Sequence, residues 1–196
     1  MNKQDYRKIE YTVKETFKLK NNEITTYKLK GYKNVYVSNT CHIKPKGLHI
    51  ILKNVNEAIR EFEIDDEIFK IVVLSYKDGM DTYGKYNAIS NEIIFNEVIC
   101  DKDKLAVEKI TIGHVERHEV WHLKQANNYR KQHGIINEKN YSDYLKYTNR
   151  KAKRYIDSLG FNEDNIAKVS KYAYGSYSLN RYDEIEAEIK AIKGGT

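Results

Sequence analysis

Five residues in succession, His118–Glu119–Val120–Trp121–His122, have the types and spacing needed to hold a metal and move a proton. On an α-helix, residues four apart lie one turn apart on the same face. His118 and His122 therefore present two imidazoles to one point, which suits a tetrahedral Zn²⁺ at about 2.0–2.1 Å per nitrogen. Glu119 follows about 100° round the helix from His118, within reach of a metal-bound water without ligating the metal. Zinc lowers the pKa of such a water to about 7, and Glu119 can take its proton as general base and pass it to a leaving amine. The pattern is the HExxH of zinc metallopeptidases. His114 extends the register, but three successive turns cannot converge on one tetrahedral centre, so His114 reads as a core or supporting residue. His42, His49 and His133 are scattered and receive no role. Gln125 and Asn128 stand where a metzincin needs Gly and His, which excludes that subclass.

A catalytic zinc needs a third protein ligand and an open position. The segment RYDEIEAEIKA supplies Glu184 and Glu188, four apart on one helical face. Bare, that like-charge pair is mildly destabilising, and a cation beside it would explain it. Glu184 is the expected ligand, and Glu188 the acceptor that orients His118 through its other ring nitrogen. Glu186 lies on another face, four residues before Lys190, as in a solvated Glu–Lys pair. The plainer alternative is that all three glutamates are surface charge.

The stretch SYSLNRYDEIEAEIKA resembles the C-terminal active-site helix of the anthrax lethal factor-like gluzincins, which include the secreted Pro-Pro endopeptidases. The matching positions are Ser176, Tyr177 seven residues before Glu184, then Ala187 and Glu188, whereas Glu186 stands where that family keeps an apolar residue. The resemblance extends over roughly residues 48–192 in element order and about 20 residues by motif. It implies a zinc endopeptidase in which Tyr177 donates a hydrogen bond to the oxyanion of the tetrahedral intermediate. The two motifs are also similar to zincin-like proteins encoded in prophages and mobile elements of low-GC bacteria, often beside head or tail morphogenesis genes. That likeness implies a second reading: a structural or assembly protein with a zincin fold and little or no peptidase activity, associated with the virion and with phage structural proteins.

These residues must be positioned by the surrounding elements. Alternation in Ile9–Tyr11–Val13, Thr25–Tyr27–Leu29 and Val35–Tyr36–Val37 predicts short strands or an extended arm over residues 1–46, with a turn at Asn21–Asn22. Leu48, Ile51, Leu52, Val55 and Ile59 share one face of an amphipathic helix after Pro45. Ile68–Ser75 reads as a buried strand. A second strand over 90–98 is flanked by charge and Asn, as an edge would be, and Asn91, Ile93 and Phe95 are its expected substrate-facing positions. A long helix over about 104–132 carries the metal motif, with Trp121 facing away from the metal into the core, and Gly134 ends it. Helices follow at about 142–158, 165–174 and 183–192. The expected class is α+β and zincin-like: a small mixed sheet with an edge strand over the active-site helix, then a helical subdomain over 135–196. Residues 47–196 would form the peptidase domain.

Composition narrows the alternatives. Hydrophobic residues make up 40% and charged residues 32% of the 196, as in a soluble globular protein. No stretch approaches the roughly 18 apolar residues of a membrane span. The charged N-terminus lacks the apolar region of a secretory signal, so a cytoplasmic location is expected. Cys41 and Cys100 are too few and too far apart for a disulfide scaffold or a CxxC site. The net charge is +6, and the densest basic run spans residues 150–154. No base-reading module accompanies it, so a solvated helix face is favoured over a nucleic-acid site and a peptide or protein is the expected partner.

Overall fold

Strand residues in the first half of the chain alternate between two apolar faces, so both sides of their sheet are covered. In the computed structural model, which describes residues 11–19, 22–65 and 69–192, the elements run β1 (Tyr11–Leu19), β2 (Asn22–Leu29), β3 (Val35–Ser38), α1 (Pro45–Glu61), β4 (Lys70–Leu74), β5 (Gly84–Asn87), β6 (Glu92–Asn96), α2 (Lys102–Val107), α3 (His114–His133), α4 (Tyr141–Ser158), α5 (Glu163–Val169), α6 (Lys171–Ser178) and α7 (Tyr182–Ile192). The class is α+β, with seven α-helices among the described residues and one six-stranded mixed sheet in the order β1-β2-β3-β4-β6-β5. The central strands β3, β4 and β6 are parallel, and β1, β2 and β5 attach antiparallel to their neighbours.

Val35, Val37, Ile71, Val73, Ile93 and Phe95 point to one face, where they pack on Ile51, Val55 and Ala58 of α1 and on Val115, Val120 and Leu123 of α3. Tyr36, Val72, Leu74 and Ile94 point to the other, joined by Phe17, Ile24 and Met80. The strands expected as an N-terminal arm are therefore part of the sheet, and Leu29, Val35 and Val37 share a core with α1. Ile9, Asn21 and Ile68, named among the expected strand and turn residues, lie outside the described residues.

Two expected elements differ. The long helix is broken: α2 stops at Val107, Lys109 and Gly113 take positive φ (58° and 88°), and α3 begins at His114. Left-handed backbone at both positions interrupts the helical ladder. As a result the metal motif sits in the first turns of α3. The helix expected over 165–174 is likewise two helices, divided at Ser170, whose extended backbone and hydroxyl cap α6 at Ala173.

The expected edge strand is also different. β6 pairs on both sides, with β4 and with β5, so Ile93 and Phe95 are wholly buried core residues. Asn91 precedes β6 in a left-handed turn and accepts a hydrogen bond from the Tyr86 hydroxyl at 2.8 Å. The terminal strand over α3 is β5.

Candidate metal centre

α3 carries two kinds of surface. Val115, Val120 and Leu123 face the sheet and α1, while His118 and His122 face α7, the helix that carries Glu184 and Glu188. Arg117 fixes how α7 lies. It donates to the Lys190 and Ala191 carbonyls at the end of that helix (3.0 and 3.2 Å) and forms a two-pronged pair with Glu61 of α1 (2.5 and 2.8 Å).

Against that frame, His118 Nε2, His122 Nε2 and Glu184 Oε2 form a nearly equilateral triangle with edges of 3.1, 3.2 and 3.3 Å. All three residues are buried, and the group could hold one metal ion. A tetrahedral ion with ligands at about 2.0–2.1 Å separates those ligands by about 3.3–3.4 Å, so the spacing fits a single ion touching all three. The two remaining imidazole nitrogens face polar groups on opposite sides. His118 Nδ1 lies 3.2 Å from Glu188 Oε2, and His122 Nδ1 lies 2.9 Å from Gln125 Oε1. That leaves both Nε2 atoms directed at the centre.

Compared with known proteins, the chain matches no family model, no curated protein and no solved structure.

Electrostatics follow from burial and mutual contact. Burial opposes charge on His118, yet hydrogen bonds to Glu184 and Glu188 raise its pKa from 6.5 to about 10. Burial also opposes charge on Glu184, but the neighbouring His122 charge and hydrogen bonds from both histidines hold its carboxyl far below the usual range. Glu188 is lowered likewise: burial works against its charge, and the bonds from His114 and His118 overcome it. One oxygen, Glu188 Oε2, serves both His118 and His114 Nε2 (3.1 Å), so His114 supports the site and is no ligand. Glu119 is buried without a ring nitrogen beside it, and burial raises its pKa despite the lowering influence of His118 and His122.

β5 closes over Glu119. A Cβ at Gly84 would lie 2.7 Å from Val115 Cγ1 and 2.8–2.9 Å from Glu119 Cγ and Oε1. The strand backbone thus approaches the Glu119 side chain directly, and the Tyr86 backbone hydrogen-bonds its carboxylate.

Two residues stand elsewhere than expected. Tyr177 packs in the C-terminal apolar cluster with Ile156, Ile166 and Ile185, its ring against Tyr182. The phenol at the centre is Tyr172, whose hydroxyl donates to Glu184 Oε2 at 2.7 Å and whose half-exposed ring meets His118 edge-on. Both tyrosines are on α6, and five residues turn a helix by about 140°, so one faces the histidines while the other faces the core. Glu186 is no solvated partner of Lys190. It is half-buried and accepts from Gln125 Nε2 at 2.9 Å, and burial raises its pKa. Lys190 lies over the rings of Trp121 and Tyr155 instead. Trp121 packs edge-on against Phe62 of the core, away from the triangle. Glu184 Oε1 is paired with Arg181, a residue that sequence spacing did not single out.

Proposed function

We propose that this protein is a zinc-dependent endopeptidase with His118, His122 and Glu184 as ligands and Glu119 as general base. The observation that carries this reading is the triangle of two imidazole nitrogens and one carboxylate oxygen, with an unligated buried carboxylate one residue along the same helix. Two nitrogens and an oxygen suit Zn²⁺ in a catalytic site that keeps a fourth position open. When bound, Zn²⁺ supplies Lewis-acid polarisation of a carbonyl and a lowered pKa for water.

The remaining work falls to the chain. β5, the terminal strand, offers an extended peptide a backbone edge beside Glu119. Glu119 takes one proton from the attacking water and delivers it to the departing amine nitrogen as the C–N bond breaks. Its burial favours the protonated form that exists between those two transfers. Glu188 and Gln125 keep the imidazoles aimed at the centre.

The test is Glu119→Gln in zinc-loaded protein, with cleavage of an unfolded protein followed by mass spectrometry. One zinc per chain should remain by elemental analysis while cleavage disappears. Cleavage that persists in Glu119→Gln, or is absent from zinc-loaded wild type, overturns the reading.

A further inference from the structure

The two histidines of the triangle are held by different chemistry. His118 leans on a carboxylate, Glu188, which is the usual kind of support for a metal-bound imidazole. His122 leans on an amide, Gln125, and an amide can present either its oxygen or its NH₂ to a neighbour. Something must choose between them.

The choice is made by α7. Gln125 is buried, and its Nε2 is 2.9 Å from Glu186 Oε2 and 3.2 Å from the Asp183 carbonyl oxygen. Both partners accept hydrogen bonds only, the first when ionised. Turning the amide over would set Gln125 Oε1 against two oxygens and leave its NH₂ facing His122. The NH₂ therefore belongs on the α7 side and Oε1 on the His122 side, 2.9 Å from Nδ1. An oxygen there accepts a proton held on Nδ1, which leaves the Nε2 lone pair for the centre.

The geometry points to Gln125 and Glu186 as a pair of positioning residues that set the ring orientation and proton placement of His122 for metal binding, with Glu186 acting through Gln125. This inference rests on the metal reading proposed above. It also accounts for a carboxylate that α7 turns toward Gln125 of α3.

The test compares zinc affinity and metal-free stability in two variants that keep side-chain length, Gln125→Met and Glu186→Met. Affinity is measured by chelator competition and stability by urea unfolding in excess chelator. Loss of a supporting contact to a metal-bound histidine costs about 10–100-fold in affinity. Both variants should fall in that range, and in wild type the Nδ1 proton of His122 should be visible by ¹⁵N-edited NMR and protected from exchange. Glu186→Met should leave metal-free stability unchanged or raised, since it removes a half-buried carboxylate. A merely structural Glu186 would lower stability and leave affinity alone. Unchanged zinc affinity in Glu186→Met, or an unprotected Nδ1 proton in zinc-loaded wild type, overturns the proposal. If wild type binds no zinc, the metal reading itself fails and takes this inference with it. Zinc bound by wild type and equally by both variants overturns only the inference.

Discussion

The two faces of α3 are built on opposite principles. Toward the sheet and α1 it buries Val115, Val120 and Leu123 among Ile51, Val55 and Phe95, with one buried carboxylate, Glu116, accepting from Asn54 of α1 at 2.9 Å. Toward α7 it buries His118, His122 and Gln125 against Glu184, Glu186 and Glu188. Apolar burial stabilises whatever the solution contains. Buried ionisable groups stabilise only when their protons or a metal balance their charges, and an unbalanced one costs several kcal/mol. The same helix is therefore held on one side by a mainly apolar interface and on the other by a cluster of ionisable groups, which on the proposed reading makes that second side the one more sensitive to metal and pH.

The largest effect that would test this contrast lies on the apolar side. Phe95→Ala should cost about 3–5 kcal/mol, equally with zinc and with chelator in urea titrations; a cost that changes with zinc would show the two faces to be coupled. Next comes the metal. Free zinc at 1,000 times its dissociation constant should add about 4 kcal/mol, and His122→Ala should abolish that increment, as read by thermal unfolding at fixed protein concentration. An increment that survives His122→Ala would place the metal elsewhere.

A smaller effect is the pH dependence of the metal-free protein. His118 has its pKa raised from 6.5 to about 10, so its contribution is complete below about pH 6.5 and is lost as pH rises through about 10. Glu184 and Glu188 are lowered from 4.5, so their contribution is present above that value and is lost on acidification. Chelator-treated protein should accordingly be most stable near pH 4.5–6.5. On the proposed reading zinc takes the place of the proton, so it should remove the decline between pH 7 and pH 10; equal declines with and without zinc would refute the assignment. The smallest effect separates two tyrosines. Tyr172→Phe should weaken zinc binding by about 1 kcal/mol, the worth of one hydrogen bond, and Tyr177→Phe should leave it unchanged.

The pairing of His118 and His122 with Glu184 was legible because the spacing within each segment is local. His118 and His122 are one turn apart, Glu184 and Glu188 are one turn apart, and helical periodicity marked both segments. Its supports were not legible. Gln125 reads as an ordinary polar helix residue until α7 is laid beside it, and Tyr172 and Tyr177 differ only in the phase of a helix whose start at Ser170 carries no Pro or Gly. β5 escaped because Gly84–Asn87 has no apolar alternation, its role being to pair β6 and cross α3. The apolar run of β6 instead reflects a strand covered on both faces.

Gly84 carries no side chain, yet any side chain there would collide with Glu119 and Val115. A saturation library selected for activity would therefore rank Gly84 among the least replaceable positions, beside the histidines and well ahead of most of the core. Mutational tolerance in this molecule would trace a shape, the clearance between a strand and a carboxylate, as sharply as it traces reactive groups.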